Sequence, residues 1–115
     1  MSTWVKQADD WTAALAAAAK IPATRDPDLL HPPVLFVSTP EFVTAPISAP
    51  IMEFPVHVIA PGNGKQQLDA LLDMLPAVLD ATGQQTAALT SITIGDIPFN
   101  AYLVTVPVRF DPPTP

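Results

Sequence analysis

The chain reads as an α+β domain with element order α-β-β-α-β-β. It predicts a four-stranded, mostly antiparallel sheet with two helices packed on one face. Three observations predict this class. Two stretches repeat apolar residues at helical spacing, one near the start and one near the middle. Two long stretches, Ile51 to Ala60 and Ala101 to Phe110, alternate with period two. The block from Ile51 to Phe110 then runs strand, Gly-rich turn, helix, strand, strand without a long gap. A length of 115 residues fits one domain, expected over residues 1–110 with a Pro-rich tail at 111–115.

The first helix is predicted over Thr3 to Lys20. Trp4, Ala8, Trp11, Leu15 and Ala18 recur at spacings of four and three and mark one apolar face. The alanines favour helix, and Pro22 ends it. Both tryptophans fall on that stripe and are read as core. Ile21 to Pro33 is a loop, punctuated by Pro22, Pro27, Pro32 and Pro33. Val34 to Thr39 is a short buried strand stopped by Pro40. Glu41 to Pro50 carries Phe42, Val43 and Ile47 among prolines. It reads as an extended arm for subunit contact, as the wide connection of a hairpin, or as a loop folded back on the core.

In Ile51 to Ala60, Met52, Phe54, Val56, Val58 and Ala60 point one way, toward the helices. Ile51, Glu53, Pro55, His57 and Ile59 point the other way. Pro55 predicts an edge or a bulge. Pro61-Gly62-Asn63-Gly64 turns the chain, with Asn63 as the candidate helix cap. The second helix is predicted over Lys65 to Ala81, with Leu68, Leu71, Leu72, Leu75 and Leu79 on its inner side. Pro76 predicts a kink or break near Leu75. Ala87 to Ile94 is the third strand, and Gly95-Asp96 begins the reversal. Ala101 to Phe110 is the fourth strand. Its Tyr102, Val104, Val106, Val108 and Phe110 alternate with Leu103, Thr105, Pro107 and Arg109. Asp111 to Pro115 is expected to be mobile.

Composition narrows the function. Hydrophobic residues make up 49% and charged residues only 14%. Scarce charge points to a surface covered by partners, or to the low-charge, Ala/Thr/Pro-rich composition common in high-GC genomes. The formal charge is −6, and Lys6, Lys20, Arg25, Lys65 and Arg109 are scattered. That argues against a protein that grips nucleic-acid phosphates. With no cysteine, disulfides, thiolate nucleophiles and Cys-based zinc sites are excluded. No segment has the ~18 uninterrupted apolar residues of a membrane span, and the start of the chain does not read as a signal peptide. The expectation is a soluble protein made in the cytoplasm, without a membrane partner.

Motifs for chemistry are sparse. The glycines of Gly62-Asn63-Gly64-Lys65 are two apart and Gln66 follows the lysine, so neither the P-loop nor the dinucleotide pattern is met. His31 and His57 have no second ligand at helical or strand spacing. Ser91, His57 and Asp96 form a triad only on paper, without a nucleophile elbow. Asp69, Asp73 and Asp80 share one helix and read as a solvated face or the acidic lining of a channel. The chain is read as no enzyme, with no cofactor and no metal.

The length, the element order, the stretch Phe54-Pro-Val-His-Val-Ile-Ala-Pro-Gly-Asn-Gly-Lys65 before the Leu-rich helix, and the ending Ala101-Tyr-Leu-Val-Thr-Val-Pro-Val-Arg-Phe110 carry a resemblance. The resemblance extends over about two thirds of the chain. The chain resembles tail terminator (minor tail or tail-completion) proteins of long, non-contractile-tailed phages, of the type that infects actinobacteria. That resemblance implies a homohexameric ring in the virion, assembled in the host cytoplasm. Such a ring caps the tail tube, stops its polymerisation and meets the head connector. Its partners are the chain itself, the major tail tube protein and a head–tail connector protein, and DNA passes through the lumen without specific binding. Phe42, Val43 and Ile47 are the expected subunit contacts, and Asp69 and Asp73 the expected lumen lining. With Pro55, Pro76 and Pro107 interrupting the later block, ladder pairing between subunits is expected to be limited there. The alternatives are a head-completion or connector protein of the neck, and a small ligand-binding or enzymatic α+β domain with its pocket near His57, Tyr102 or Arg109.

Overall fold

The computed structural model describes residues 4–44 and 50–111, apart from the side chain of Phe42. The fold is α+β, with two helices and a mixed six-stranded sheet. The strands are β1 (Ala23–Thr24), β2 (Val34–Val37), β3 (Phe42–Thr44), β4 (Ile51–Ile59), β5 (Ala88–Ile94) and β6 (Ile97–Arg109). The helices are α1 (Trp4–Ala19) and α2 (Gly64–Thr82). The sheet order is β1-β2-β4-β6-β5, and β3 pairs with β4 beside β2. β1 runs parallel to β2; every other pair is antiparallel.

The predicted count of four strands is therefore corrected to six. β1 has two residues and β3 has three, too short for alternation to register. β3 also answers the question left by the arm. Its residues pair Phe42 to Glu53, Val43 to Met52 and Thr44 to Ile51, so the arm begins as one side of a hairpin. Residues 45–49, with Ile47, lie outside the described residues.

β4 is the centre of the molecule. Met52, Phe54, Val56, Val58 and Ala60 are buried beneath the helices as the alternation predicts. Pro55 does not place β4 at an edge. The Pro55 carbonyl accepts from Ser38 N at 3.0 Å and the Glu53 carbonyl from Glu41 N at 3.1 Å. Within a strand one residue's N–H and C=O share an edge, so the donor that Pro55 lacks faces the gap between β2 and β3. Pro107 is accommodated in the same way. Phe110 N donates to Pro50 O at 2.8 Å, which turns the even residues of β6 toward β4 and the odd ones away. Pro107 therefore faces a stretch that β5, which pairs only with residues 97–103, does not reach.

α1 and α2 pack together over this face. Ala8, Leu15, Ala19, Leu71 and Val78 share one core with β4 and β6. Trp11 stacks on Phe54 with ring centroids 5.1 Å apart, and Phe54 meets Phe110 at 5.8 Å. The inner face of α1 runs through Thr12 and Ala19 rather than Ala18, which is exposed. Thr12 is tolerated there because its hydroxyl donates to Ala8 O at 2.8 Å. The inner face of α2 keeps Leu71, Leu75 and Leu79 but differs at its other positions. Gln67, Leu71 and Val78 are buried, whereas Leu68 and Leu72 are exposed. Pro76 does not break α2, which is continuous to Thr82 and ends on Gly83 at φ 70.

The opposite sheet face carries a second, smaller cluster. Leu30, delivered by a 3-10 turn at Pro27–Leu29, packs with Val34, Ile59 and Ala101. β5 and β6 meet across a two-residue turn in which Gly95 takes φ 63, a conformation glycine adopts without a Cβ penalty. Ile97 to Asn100 is already part of β6, so the last strand starts four residues earlier than its alternation suggests. Asp111 is held: Trp4 Nε1 donates to its carbonyl at 3.1 Å, and its N–H donates to Gln7 Oε1 at 2.8 Å. The rest of the predicted mobile tail, residues 112–115, lies outside the described residues.

Candidate functional site

The start of α1, the segment after β2 and the β3–β4 pair enclose a groove. The Trp11–Phe54 stack fixes α1 over the sheet. Arg25 ties the loop to the helix through Asp9 Oδ1 at 2.6 Å. β3 then brings Val43 alongside. The groove measures about 220 Å³, and its lining includes Trp4, Val5, Ala8, Val43, Met52 and Phe54. Its rim is open and apolar, with Val5 63% and Val43 48% exposed. Arg25 also lines it, and the Arg25 Nε is buried without a hydrogen-bond partner. The apolar lining suits an apolar side chain.

Of the three expected contact residues, Val43 is on this rim. Phe42 is in β3, with its side chain undescribed, and Ile47 lies outside the described residues. Asp69 and Asp73 are exposed on α2, and Asp69 is paired with Lys65 at 2.7 Å. Between them and beside them stand the exposed Leu72 and Leu68. The acidic side of α2 is thus mixed with apolar surface that the leucine count had assigned to the core.

The turn before α2 is a packing device. Gly62 and Gly64 take φ values of 103 and 56. Asn63 occupies the cap position but makes no side-chain cap bond, contrary to expectation. The polar work is done by Gln67, whose amide donates to Ala60 O at 3.2 Å and to Asn100 O at 2.8 Å. These two carbonyls are where the β4–β6 ladder runs out, and Gln67 closes it. Sequence reasoning missed this residue. Its only signal is a polar side chain four positions before the buried Leu71, on the same helical face.

His57 is half-buried on the sheet face away from the helices. It stacks on Phe36 with centroids 5.9 Å apart, and its Nδ1 is buried without a partner. Burial lowers its pKa below the ordinary 6.5, while Glu41 and the Phe36 backbone oppose that shift. Ser91 is on the helix side of the sheet in β5, with β6 between it and β4. Ser91, His57 and Asp96 therefore do not converge. Among the described residues no cluster of three or more His, Asp or Glu side chains could hold a metal ion, and no helix is long and apolar enough to cross a membrane.

Comparison with protein-family models, curated proteins and solved structures finds no match to this chain.

Proposed function

We propose that this chain is a ring-forming structural subunit of a virion, acting as a tail terminator. In this reading six copies close head to tail, each placing one patch against a different patch of its neighbour. The ring caps the tail tube, stops its polymerisation and offers a surface to the head connector. DNA passes through the lumen. The observation that carries the reading is the open apolar groove beside β3, with Val43 at its rim on the segment whose sequence suggests subunit contact. Exposed Asp73 supports an acidic lumen that repels duplex phosphates, with Asp69 beside it held in an ion pair with Lys65.

The purified chain, alone or with major tail tube protein, should sediment near the mass of six subunits. Val43→Asp should reduce that species to smaller ones with an unchanged far-UV circular dichroism spectrum, because Val43 is half-exposed and not part of the core. A wild-type chain that stays strictly monomeric and does not bind tube ends in negative-stain micrographs would sink the reading. Its position along the neck in a virion map separates a terminator from a connector.

A further inference from the structure

We propose that β5 is a two-fold pairing edge, which joins two copies of this chain into one continuous antiparallel sheet. The proposal does not depend on the ring reading.

β5 is the terminal strand of the sheet. The alternation set by the Phe110–Pro50 bond carries through the unbroken β6 register. It directs Ala88, Thr90, Ile92 and Ile94 to β6 and turns the N–H and C=O groups of Leu89, Ser91 and Thr93 outward. Among the described residues nothing pairs with these three donors and three acceptors. Native edge strands are ordinarily protected by lysine, proline, a bulge or brevity. The seven residues Ala-Leu-Thr-Ser-Ile-Thr-Ile have none of these. Pro55 and Pro107 point their missing donors into gaps elsewhere, so the interruptions expected to limit pairing in this block leave β5 untouched.

The occupant is a second copy because this edge is complementary to itself. Antiparallel pairing centred on Ser91 sets Leu89 opposite Thr93 of the other copy, Ser91 opposite Ser91, and Thr93 opposite Leu89. Every outward residue then exchanges both backbone bonds, and none is left over. Charge agrees. Each copy carries −6, so most surface-to-surface contacts would bring acids together, but β5 itself contains no charged residue. Apolar surface also flanks the edge on both faces of the sheet. Leu89 is 60% exposed on one face, and on the other Ile97 is 61% exposed beside the half-buried Ile92 and Ile94. Pairing places Ile92 next to Thr90 of the other copy, a favourable cross-strand neighbour.

Because the chain has no cysteine, single-cysteine variants report the geometry directly. The two Ser91 Cα atoms would sit about 5.5 Å apart, within disulfide reach. Two Leu89 positions would be about 14 Å apart at ~3.4 Å per residue. Under mild oxidation Ser91→Cys should give a covalent dimer about tenfold faster than Leu89→Cys alone, and a mixture of Leu89→Cys and Thr93→Cys should give the mixed dimer. Ser91→Pro removes only an outward donor and should dissociate the pair in sedimentation without loss of β-sheet signal. Equal cross-linking of Ser91→Cys and Leu89→Cys, or an assembly that Ser91→Pro leaves intact, would overturn the proposal. A six-subunit species indifferent to Ser91→Pro keeps the ring and removes the strand pair. A dimer dissolved by Ser91→Pro and indifferent to Val43→Asp keeps the strand pair and removes the ring.

Discussion

At the scale of single residues, polar groups inside the fold do specific jobs. Gln67 is 3% exposed and spends its amide on the two carbonyls left by the end of the β4–β6 ladder. Gln67→Leu keeps the volume and removes both bonds. It should cost about 1–3 kcal/mol, because the buried Ala60 carbonyl loses this donor, while water can reach the Asn100 carbonyl. Urea unfolding should show this as a lower midpoint at unchanged slope. His57 works through pH. Its folded pKa is depressed from 6.5 by burial, so above 6.5 the imidazole is neutral in both states and its contribution is fully present. As pH falls below 6.5 the unfolded chain takes up a proton that the folded one resists, and stability is lost down to the folded pKa. Melting temperatures of the wild type should drop more steeply below pH 6.5 than those of His57→Gln; parallel curves would remove the effect. The alternation of β4 made the half-burial of His57 legible. Gln67 was not legible, because a glutamine among leucines reads as a boundary residue unless its two carbonyl partners are known.

At the scale of elements, long strands were legible and short ones were not. β4 and β6 are nine and thirteen residues long, and the alternation of β4 and of β6 from Ala101 onward let one face be read directly. β1 and β3 exist because β2 and β4 offer them free edges, and nothing within two or three residues encodes that. α2 was read correctly on part of its inner side. Of the five leucines assigned there, Leu71, Leu75 and Leu79 pack on the core, but Leu68 and Leu72 are exposed, and Gln67, Met74 and Val78 take inner positions instead. The bonds of Gln67 hold its side chain on that side. Pro76 is the other surprise in α2. It sits on the exposed side, four residues after the exposed Leu72, so the Leu72 carbonyl left without an N–H can turn to water. Pro76→Ala restores that bond. It should stabilise the fold by about 1–2 kcal/mol, less than the full ~3 kcal/mol of an interior proline, because proline also restricts the unfolded chain. Denaturant titration of the pair checks this; an unchanged or lower midpoint would show that the helix depends on its proline.

At the scale of the whole molecule, the acidic side of α2, the groove between α1 and the β3–β4 pair, and the bare edge at β5 are three separate surfaces. The order of helices and of the long strands was legible, as was the buried face. The two proposed contact surfaces were only half legible. The arm could be named from its prolines and apolar residues, but the open strand edge appears only once the sheet order places β5 last. That same order has a kinetic consequence. β3 with β4, and β5 with β6, are neighbours along the chain and close short loops. β4 and β6, the pair at the centre, come together only across the whole of α2 and β5. Loop-closure entropy is spent before that pair rewards it. The rate-limiting event in folding should therefore be the docking of two preformed hairpins along β4 and β6, with α2 as the crossover whose winding brings them within reach.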